Sequence, residues 1–351
     1  MTPRLLTKRI IVALLVGLLV MLTGVAIFIH INEPLPTPTS TTSIAYGVNV
    51  DMTAMIPGTP YTVTTADGGD FFSLAAQLGI NTLRITDVRW AVTGQEYSRD
   101  TWNSVFREAE RYHIRIVLLL VDGGNHTALE HAHTLLGQYG LAQSPALWMV
   151  DLGNEPDVDN PQSMSEIQQE AAYVRQIAPS ARITIGGWKH EVPGRPSQFR
   201  FQDPADIPRL INLVDVVSVH LYQFDQGFRQ GFTPQQWVQR YLNAVRSQAK
   251  GKPILIEEFG AGNGLAPTTE AMPTGSLRWQ AYVYQGVFQE VKAEHAQEVL
   301  GALAWIIAPR PSMDITPSNY ERNMIGWSFV LNRGKNLLPA ARTFSAAEHS
   351  G

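Results

Sequence analysis

Residues 115–121 read Arg115-Ile116-Val117-Leu118-Leu119-Leu120-Val121, a run in which hydrophobic and polar side chains do not alternate. Runs of this kind are typical of parallel strands that are covered on both faces. Similar short runs recur along the chain and predict eight strands, at Ile44–Val50, Thr82–Thr86, Arg115–Val121, Trp148–Gly153, Arg182–Gly187, Val214–His220, Pro253–Phe259 and Leu300–Ile306.

Helical patterns separate these strands. They lie at Asp70–Leu78, Thr101–Tyr112, Ala128–Tyr139, Ser165–Ile177, Thr233–Gln248 and Leu277–His295, with weaker ones at Pro204–Asn212 and Pro339–Glu348. Thr233-Pro234 predicts an N-cap followed by Pro at N1, and Asp70 and Ser163 are also suited to capping. Eight strand–helix pairs over about 300 residues predict an α/β protein with a (β/α)8 TIM barrel. A doubly wound open sheet is the structural alternative, but no Gly-x-Gly-x-x-Gly follows the first strand.

The amino-terminal part of the chain predicts a membrane anchor. Residues 10–31 contain no Asp, Glu, Lys or Arg, and a helix of this length matches a bilayer core of about 30 Å. Residues 1–9 form a basic tail, and no further Lys or Arg occurs before Arg84. The positive-inside rule therefore places the tail in the cytoplasm and the rest of the chain outside. A cleaved signal peptide, which would leave a secreted protein, is the alternative, but the apolar run is longer than such peptides usually carry.

Residues 32–43 are rich in Pro, Thr and Ser and predict an extended linker. No comparable linker interrupts residues 44–351, which are therefore predicted to form one domain. The chain has no Cys, which excludes disulfides, thiolate nucleophiles and iron–sulfur clusters. Its 27 basic and 31 acidic residues give a net charge of −4, too mild to indicate a nucleic-acid partner.

Four polar residues in and just before the third helical pattern are of types that bind metals. His126, Glu130, His131 and His133 lie on one segment, but their spacing does not place them on one face of a helix. A solvated helix is the expected structure there. The sequence accordingly predicts neither a metal site nor a cofactor.

Polar and aromatic residues lie within or at the ends of nearly every predicted strand. In a (β/α)8 barrel these ends surround the functional site. Because an unpaired buried polar group costs several kcal/mol, so many of them indicate function rather than stability. Two carboxylates at the ends of strands four and seven would face each other, as cleavage of a glycosidic bond requires. The candidate residues are Arg84, Asp122, Asn154, Glu155, Trp188, His220, Tyr222, Glu258 and Trp305.

The sequence resembles the clan-A glycoside hydrolases and looks most like family 5, the cellulase and mannanase family. The motifs that carry the resemblance are Leu152-Gly153-Asn154-Glu155-Pro156 and Leu255-Ile256-Glu257-Glu258-Phe259-Gly260. It extends from about Tyr46 to Phe344, including Gly47-Val48-Asn49 on the first strand and a closing stretch between Gly326 and Ala340.

The resemblance implies that Glu155 is the acid/base and Glu258 the nucleophile. Glu257 is the competing candidate for the second role, but the family motif places the nucleophile immediately before the aromatic-Gly pair. Because adjacent strand residues point to opposite faces, Glu257 is expected to point toward the helices and to pair with a base. Arg84 and Tyr222 would hold Glu258 ionised and oriented.

The remaining candidates would contact the sugar. Asn154 would hydrogen-bond the 2-hydroxyl, and Trp305 would offer a flat face to the pyranose ring. For Trp188, sugar contact and core packing remain equally open. Many family members carry a His near the end of strand three, where this chain has Asp122-Gly123-Gly124-Asn125-His126, so the preferred sugar stays open.

These expectations describe a surface-anchored hydrolase that cleaves β-glycosidic bonds of an oligo- or polysaccharide, of β-glucan or β-mannan type, with retention of configuration. Exo action on a terminal sugar is an alternative, because loop lengths alone do not distinguish a cleft from a pocket. A non-catalytic carbohydrate-binding surface protein is a second alternative, but binding alone needs no opposed pair of acids.

Overall fold

The computed structural model describes residues 43–349 except 60, 66, 122–127, 193–197, 266–274 and 309–326. The chain separates between Ser43 and Ile44 into two units, and the elements below all belong to the second unit. The predicted basic tail and membrane segment lie outside the described residues. Among the helices that the structure does describe, none is both long and apolar enough to cross a bilayer.

Eight parallel strands form one sheet in the order β5-β4-β3-β2-β1-β10-β9-β8. A separate antiparallel hairpin consists of β6 and β7. In chain order the strands are β1 (Ala45–Asp51), β2 (Thr82–Thr86), β3 (Arg115–Leu119), β4 (Leu147–Asn154), β5 (Arg182–Gly186), β6 (Lys189–Glu191), β7 (Phe199–Phe201), β8 (Val217–Leu221), β9 (Ile254–Phe259) and β10 (Val299–Ala304), with a short pair, β11 (Val330–Leu331) and β12 (Asn336–Leu337), near the carboxyl terminus.

Hydrogen bonds between the two outermost strands close the sheet. The carbonyl oxygen of Ile183 on β5 accepts hydrogen bonds from the backbone N–H groups of Asp215 (2.7 Å) and Val216 (3.2 Å), just before β8. The hydroxyl of Thr184 donates to Ser218 on β8 at 2.6 Å. The predicted (β/α)8 barrel is therefore confirmed.

Helices surround the barrel at the predicted positions, with two short additions, α2 and α7. The predicted helix over Ala128–Tyr139 is divided, because α4 continues as a π-helix over His133–Gln138. The helices are α1 (Phe71–Gln77), α2 (Val88–Thr93), α3 (Arg99–Arg111), α4 (Ala128–Ala132), α5 (Pro161–Ile177), α6 (Ile207–Leu210), α7 (Phe224–Arg229), α8 (Pro234–Gln248), α9 (Leu277–Glu294) and α10 (Ala341–His349).

The caps agree with the prediction at two of three positions. Asp70 accepts a hydrogen bond from the N–H of Ser73 and caps α1. Thr233 caps α8 in a complete capping box with Gln236. The prediction for Ser163 is wrong, because α5 begins two residues earlier, at Pro161. Its cap is Asn160, whose side chain accepts from the backbone N–H groups of Gln162 and Ser163.

Side chains alternate between the two faces of each barrel strand. On β3, Ile116 and Leu118 belong to the large core beneath the helices, whereas Val117 belongs to a second cluster inside the barrel. The same alternation places Met149 of β4 and Leu255 of β9 in the inner cluster. The polar residues lie beyond this inner apolar cluster, toward the carboxyl ends of the strands.

Candidate active site

Arg84, at the middle of β2, organises the polar interior of the barrel. Its side chain is fully buried, and Nε and Nη2 donate to Oδ2 of Asp151 on β4 at 2.9 and 2.6 Å. Nη1 donates to Oδ1 of Asn49 on β1 at 2.9 Å and to Oε1 of Glu258 on β9 at 2.5 Å. Burial alone would lower the pKa of Arg84, but the carboxylates of Asp151, Glu257 and Glu258 outweigh it and raise the pKa well above its ordinary value.

Both carboxylate oxygens of Glu258 are held by donors. Arg84 binds Oε1, and the hydroxyl of Tyr222, just beyond β8, donates to Oε2 at 2.6 Å. Burial, and then the charge of Glu258, raise the pKa of Tyr222 well above its ordinary value, so its hydroxyl remains a donor. The predicted partners of Glu258 therefore contact it, one on each oxygen.

Glu155 immediately follows β4 and has a left-handed backbone with φ of 48°. Its backbone N–H donates to the carbonyl of Gly186, at the end of β5, at 2.8 Å. This conformation is uncommon for a residue other than Gly, and such residues concentrate at functional sites. A quarter of the Glu155 side chain is exposed, against 6% for Glu258, so Glu155 is the acid with better access to solvent.

His220 on β8 lies between the two acids. Its Nδ1 is 2.9 Å from Oε1 of Glu155 and 3.5 Å from Oε2 of Glu258. Burial of His220 favours its neutral form, but the charge of Glu258 and the hydrogen bond to Glu155 outweigh burial and raise its pKa. The oxygens of Glu155 and Glu258 can therefore be no farther apart than the sum of these two distances. This upper bound lies below the separation of roughly 6.5–9.5 Å between the two acids of inverting glycosidases. In retaining glycosidases the two acids lie about 5–5.5 Å apart.

Asn154, the last residue of β4, has a fixed side-chain orientation. Its Oδ1 accepts a hydrogen bond from Nη2 of Arg84 at 3.0 Å. The amide nitrogen is therefore turned away from Arg84 and can donate to another group. Its neighbour Glu155 follows directly, so an amide donor and a carboxyl group lie side by side at the end of one strand.

The expectation that Glu257 points toward the helices is wrong. Glu257 is fully buried, and its Oε1 lies 3.7 Å from Nε of Arg84, so it does pair with a base, but inside the barrel. The pairing of β8 with β9 shifts between Val219 and His220, which moves the register past Glu257 to Glu258. This irregularity breaks the alternation, so both acids lie against Arg84.

Burial raises the pKa of Glu257 from 4.5 to about 8, and the nearby Asp151 adds to the rise. Neither Glu257 oxygen has a hydrogen-bond partner among the residues that the structure describes. A protonated carboxyl is consistent with this surrounding, because Arg84 already faces two other acids.

Sequence reasoning missed two residues of this network. Asn49 joins Arg84 to the backbone of β9 by donating from Nδ2 to the carbonyl of Glu257 at 2.9 Å. Asp151 accepts from the backbone N–H groups of Gly153 (3.1 Å) and Gly186 (2.7 Å) as well as from Arg84. Both are polar residues in the middle of apolar strands, and that signal would have identified them.

The two candidate tryptophans differ in how far they are exposed. Trp305 is partly exposed and packs against the cluster of Ile306 and Trp327, which Tyr222, the partner of Glu258, also contacts. Trp188 is 2% exposed within the main core, and its indole N–H donates to the carbonyl of Asp203 at 2.9 Å. Its ring is therefore not available to a sugar, and core packing is its role. The predicted contact by Asp122 lies outside the described residues.

Comparisons with known proteins find similarity to glycoside hydrolases. The family model for cellulase, glycosyl hydrolase family 5, matches residues 138–289. A probable mannan endo-1,4-beta-mannosidase F of Aspergillus flavus is 27% identical over 150 residues, which cover 39% of this chain and 29% of that protein. A mannan endo-1,4-beta-mannosidase A of Podospora anserina is 27% identical over 123 residues, which cover 33% of this chain and 32% of that protein. The chain thus spans less than a third of the length of these relatives.

Solved structures share the fold over most of the chain. An endo-1,4-β-D-mannanase from Thermotoga petrophila has a TM-score of 0.57 at 13% identity, covering 87% of this chain and 99% of that one. A GH53 catalytic domain from Ignisphaera aggregans has a TM-score of 0.59 at 15% identity, covering 90% and 99%. At these identities the likeness concerns the fold.

The barrel and its two opposed acids define the class that the chain resembles, the clan-A glycoside hydrolases. It is most similar to glycosyl hydrolase family 5, whose model matches part of the chain, and the two related sequences are named as mannan endo-1,4-beta-mannosidases.

Proposed function

We propose that this protein hydrolyses β-glycosidic bonds of an oligo- or polysaccharide by double displacement, with retention of configuration. The observation that carries the proposal is the placement of His220 Nδ1 within 3.5 Å of oxygens from both Glu155 and Glu258. It brings an oxygen from each of two acids, distant in the chain, closer together than the acids of inverting glycosidases, as a retaining mechanism requires.

In the first displacement, an oxygen of Glu258 attacks the anomeric carbon. The bond from that carbon to the glycosidic oxygen breaks, and the departing oxygen takes a proton from Glu155. Oε1 of Glu155 faces His220, so Oε2 is the oxygen that carries the proton toward the leaving group. Arg84 and Tyr222 each hold one oxygen of Glu258 and so fix its orientation before the attack.

In the second displacement, water attacks the anomeric carbon and gives a proton to Glu155. The ester bond breaks, and its electron pair returns to Glu258. The two inversions together give retention. Asn154 is placed to donate from its amide to the 2-hydroxyl of the sugar, a contact that strengthens in the transition state.

A β-mannan or β-glucan is the proposed substrate. The family model is that of cellulase, and two related sequences carry the name of mannan endo-mannosidases, which favours an internal bond of a β-1,4-linked polymer. Trp305, partly exposed beside the acids, supplies an aromatic face for the apolar edge of a pyranose. Exo action on a terminal sugar remains the second candidate.

The proposal also places the catalytic domain at the outer surface of the cell. Residues 10–31 would anchor it as a single span, with residues 1–9 in the cytoplasm and residues 32–43 as the spacer. Cleavage of the anchor would release the same domain as a secreted enzyme.

Product stereochemistry tests the proposed reaction. The full chain, in a detergent that contains no sugar, is incubated with β-mannan, β-glucan and aryl β-glycosides, and the first-formed anomer is followed by proton NMR. We expect β-anomer first, and short oligosaccharides from a polymer cut internally. Release of the α-anomer, or equal hydrolysis by the Glu258→Gln variant, would reject the mechanism. Binding without hydrolysis in every case would favour a carbohydrate-binding protein.

A further inference from the structure

A second cluster of ionisable side chains lies beyond the carboxyl ends of the first barrel strands. Asp87 directly follows β2, Glu96 lies between α2 and α3, and His131 belongs to α4. One ligand atom from each residue lies within 4.8 Å of the others. None of the three contacts Glu155 or Glu258 among the hydrogen bonds and ion pairs of the described residues, so the cluster is separate from the acids.

His131 is oriented as metal-binding histidines are. It is 1% exposed, although the spacing of this segment predicts a solvated helix, and that expectation is wrong for this residue. Its Nδ1 lies 2.5 Å from the carbonyl oxygen of Leu120, so Nδ1 carries the proton and donates there. This leaves the lone pair on Nε2, which faces the carboxylate of Glu96. A backbone carbonyl that fixes the far nitrogen is the usual support of a histidine ligand.

The ring of His131 is also held in place by aromatic packing. Trp90 stacks on it with ring centroids 4.9 Å apart, and Trp102 meets it at 6.4 Å. The indole N–H of Trp102 donates to Oε2 of Glu96 at 3.3 Å, which leaves Oε1 turned toward His131 at 2.8 Å. Both ligand atoms are thus positioned by their surroundings before any ion binds.

A buried carboxylate oxygen of Asp87 also indicates a bound cation. Its Oδ1 accepts the backbone N–H of Trp90 at 3.0 Å as the cap of α2. Its Oδ2 is buried and has no hydrogen-bond partner in the part of the chain that the structure describes. The nearby Asp51 does not share this feature, because its Oδ2 accepts the N–H of Val88 at 3.0 Å. A buried carboxylate oxygen without a donor is stabilised by a cation.

We propose that Asp87, Glu96 and His131 bind one divalent transition-metal ion of the zinc type. Two carboxylates and one neutral imidazole balance the charge of such an ion, and nitrogen–oxygen ligand sets are those that zinc accepts. Calcium and magnesium take oxygen ligands, so the buried imidazole disfavours them. The sequence did not indicate this site, because its ligands come from three segments that spacing within any one of them does not connect.

The ion would stabilise the fold and would take no part in catalysis. It would tie the residue after β2, the segment before α3, and α4 to one point. All three connections lie on the side of the barrel where β2 and β3 end. Its expected effect is therefore on stability, and the test does not depend on glycosidase activity.

Zinc binding by the full chain tests the proposal. The protein is treated with EDTA, exchanged into metal-free buffer and titrated with ZnCl2, with bound zinc measured by elemental analysis and melting by differential scanning calorimetry. We expect one Zn2+ per chain and a melting temperature raised by about 3–6 °C at saturating zinc. CaCl2 and MgCl2 should produce at most a small part of this rise.

Variants identify the ligands. Glu96→Gln and His131→Gln should each abolish the zinc-dependent rise, whereas Glu130→Gln and His133→Gln, matched changes on exposed neighbours, should retain it. If His131→Gln does not fold, Glu96→Gln still decides the test, because its side chain is 11% exposed and tolerates an isosteric change. A chain that binds no zinc, or site variants that bind it as the parent does, would overturn the proposal and leave an ion pair between Glu96 and His131.

Discussion

Nη1 of Arg84 lies 2.5 Å from Oε1 of Glu258, although 174 positions separate the two residues in the chain. The same guanidinium contacts Asp151 and lies 3.7 Å from Glu257. One cation therefore faces three acids in a buried part of the barrel. The charges balance best when one of these acids is protonated, and Glu257 is the acid whose pKa, raised by burial to about 8, permits it.

Glu257→Gln should weaken the pH dependence of stability. The pKa of Glu257 rises from 4.5 to about 8 on folding, so its stabilising contribution is complete below pH 4.5 and is lost as the pH rises through 8. Gln mimics the protonated acid and cannot ionise. Between pH 5 and 8 the melting temperature of the parent should fall by more than that of the variant. The control Asp100→Asn, at an exposed position in the first turn of α3, should behave as the parent. Equal slopes would show that Glu257 does not titrate in this range.

Tyr222→Phe should lower kcat by about tenfold to a hundredfold. The change keeps the ring and its packing against Trp327 but removes the hydroxyl that donates to Glu258 at 2.6 Å, and a hydrogen bond to a charged group contributes about 1.5–3 kcal/mol. Steady-state kinetics with an aryl β-glycoside would measure the loss. Tyr282→Phe, on the exposed side of α9, is the control and should behave as the parent. An unchanged kcat in Tyr222→Phe would contradict the orienting role.

Glu155→Ala should slow substrates with poor leaving groups by about a hundredfold or more, because such substrates need the proton that we propose Glu155 donates. Substrates with activated leaving groups should still form the covalent intermediate but release it slowly. Azide, which needs no general base, should then restore turnover and yield a β-glycosyl azide. Formation of an α-glycosyl azide, or equal slowing of both kinds of substrate without rescue, would argue against the acid/base assignment.

Gly186→Ala should damage the network without removing any polar group. A Cβ at this position would lie 2.3 Å from Nη2 of Arg84 and 2.7 Å from Oδ2 of Asp151. Overpacking of this kind costs about 1–3 kcal/mol, and the displaced guanidinium should also lower kcat. Gly153→Ala is the comparison, since its Cβ would approach only Val121, at 3.3 Å. Urea unfolding measures both losses, and a smaller loss for Gly186→Ala would be unexpected.

The barrel and the principal site residues were predictable because both follow from local patterns. Polar or aromatic residues lie within or just after the apolar run of nearly every barrel strand, and strands of one barrel must end on the same face. That reasoning identifies Arg84, Glu155, His220, Tyr222 and Glu258, which the structure brings together. It required no knowledge of the distances between them.

The rest depends on irregularities that periodicity does not reveal. Glu257 was placed on the wrong face because alternation assumes a regular strand, and β9 is shifted against β8 at that residue. Trp188 follows its strand like the others, but its ring is buried in the main core and its indole N–H donates to the carbonyl of Asp203, 15 positions farther along the chain. The surroundings of His131 come from residues tens of positions away, and spacing within one segment carries no information about them.

The left-handed backbone at position 155 bears on any effort to convert this protein into a synthetic catalyst. Whatever replaces Glu155 inherits a φ of 48°, which Gly adopts freely and β-branched residues adopt at a cost. Replacements there will thus differ in yield and heat resistance for reasons that lie in the main chain. If such variants are ranked by product yield alone, lower backbone strain at position 155 would be mistaken for a faster reaction.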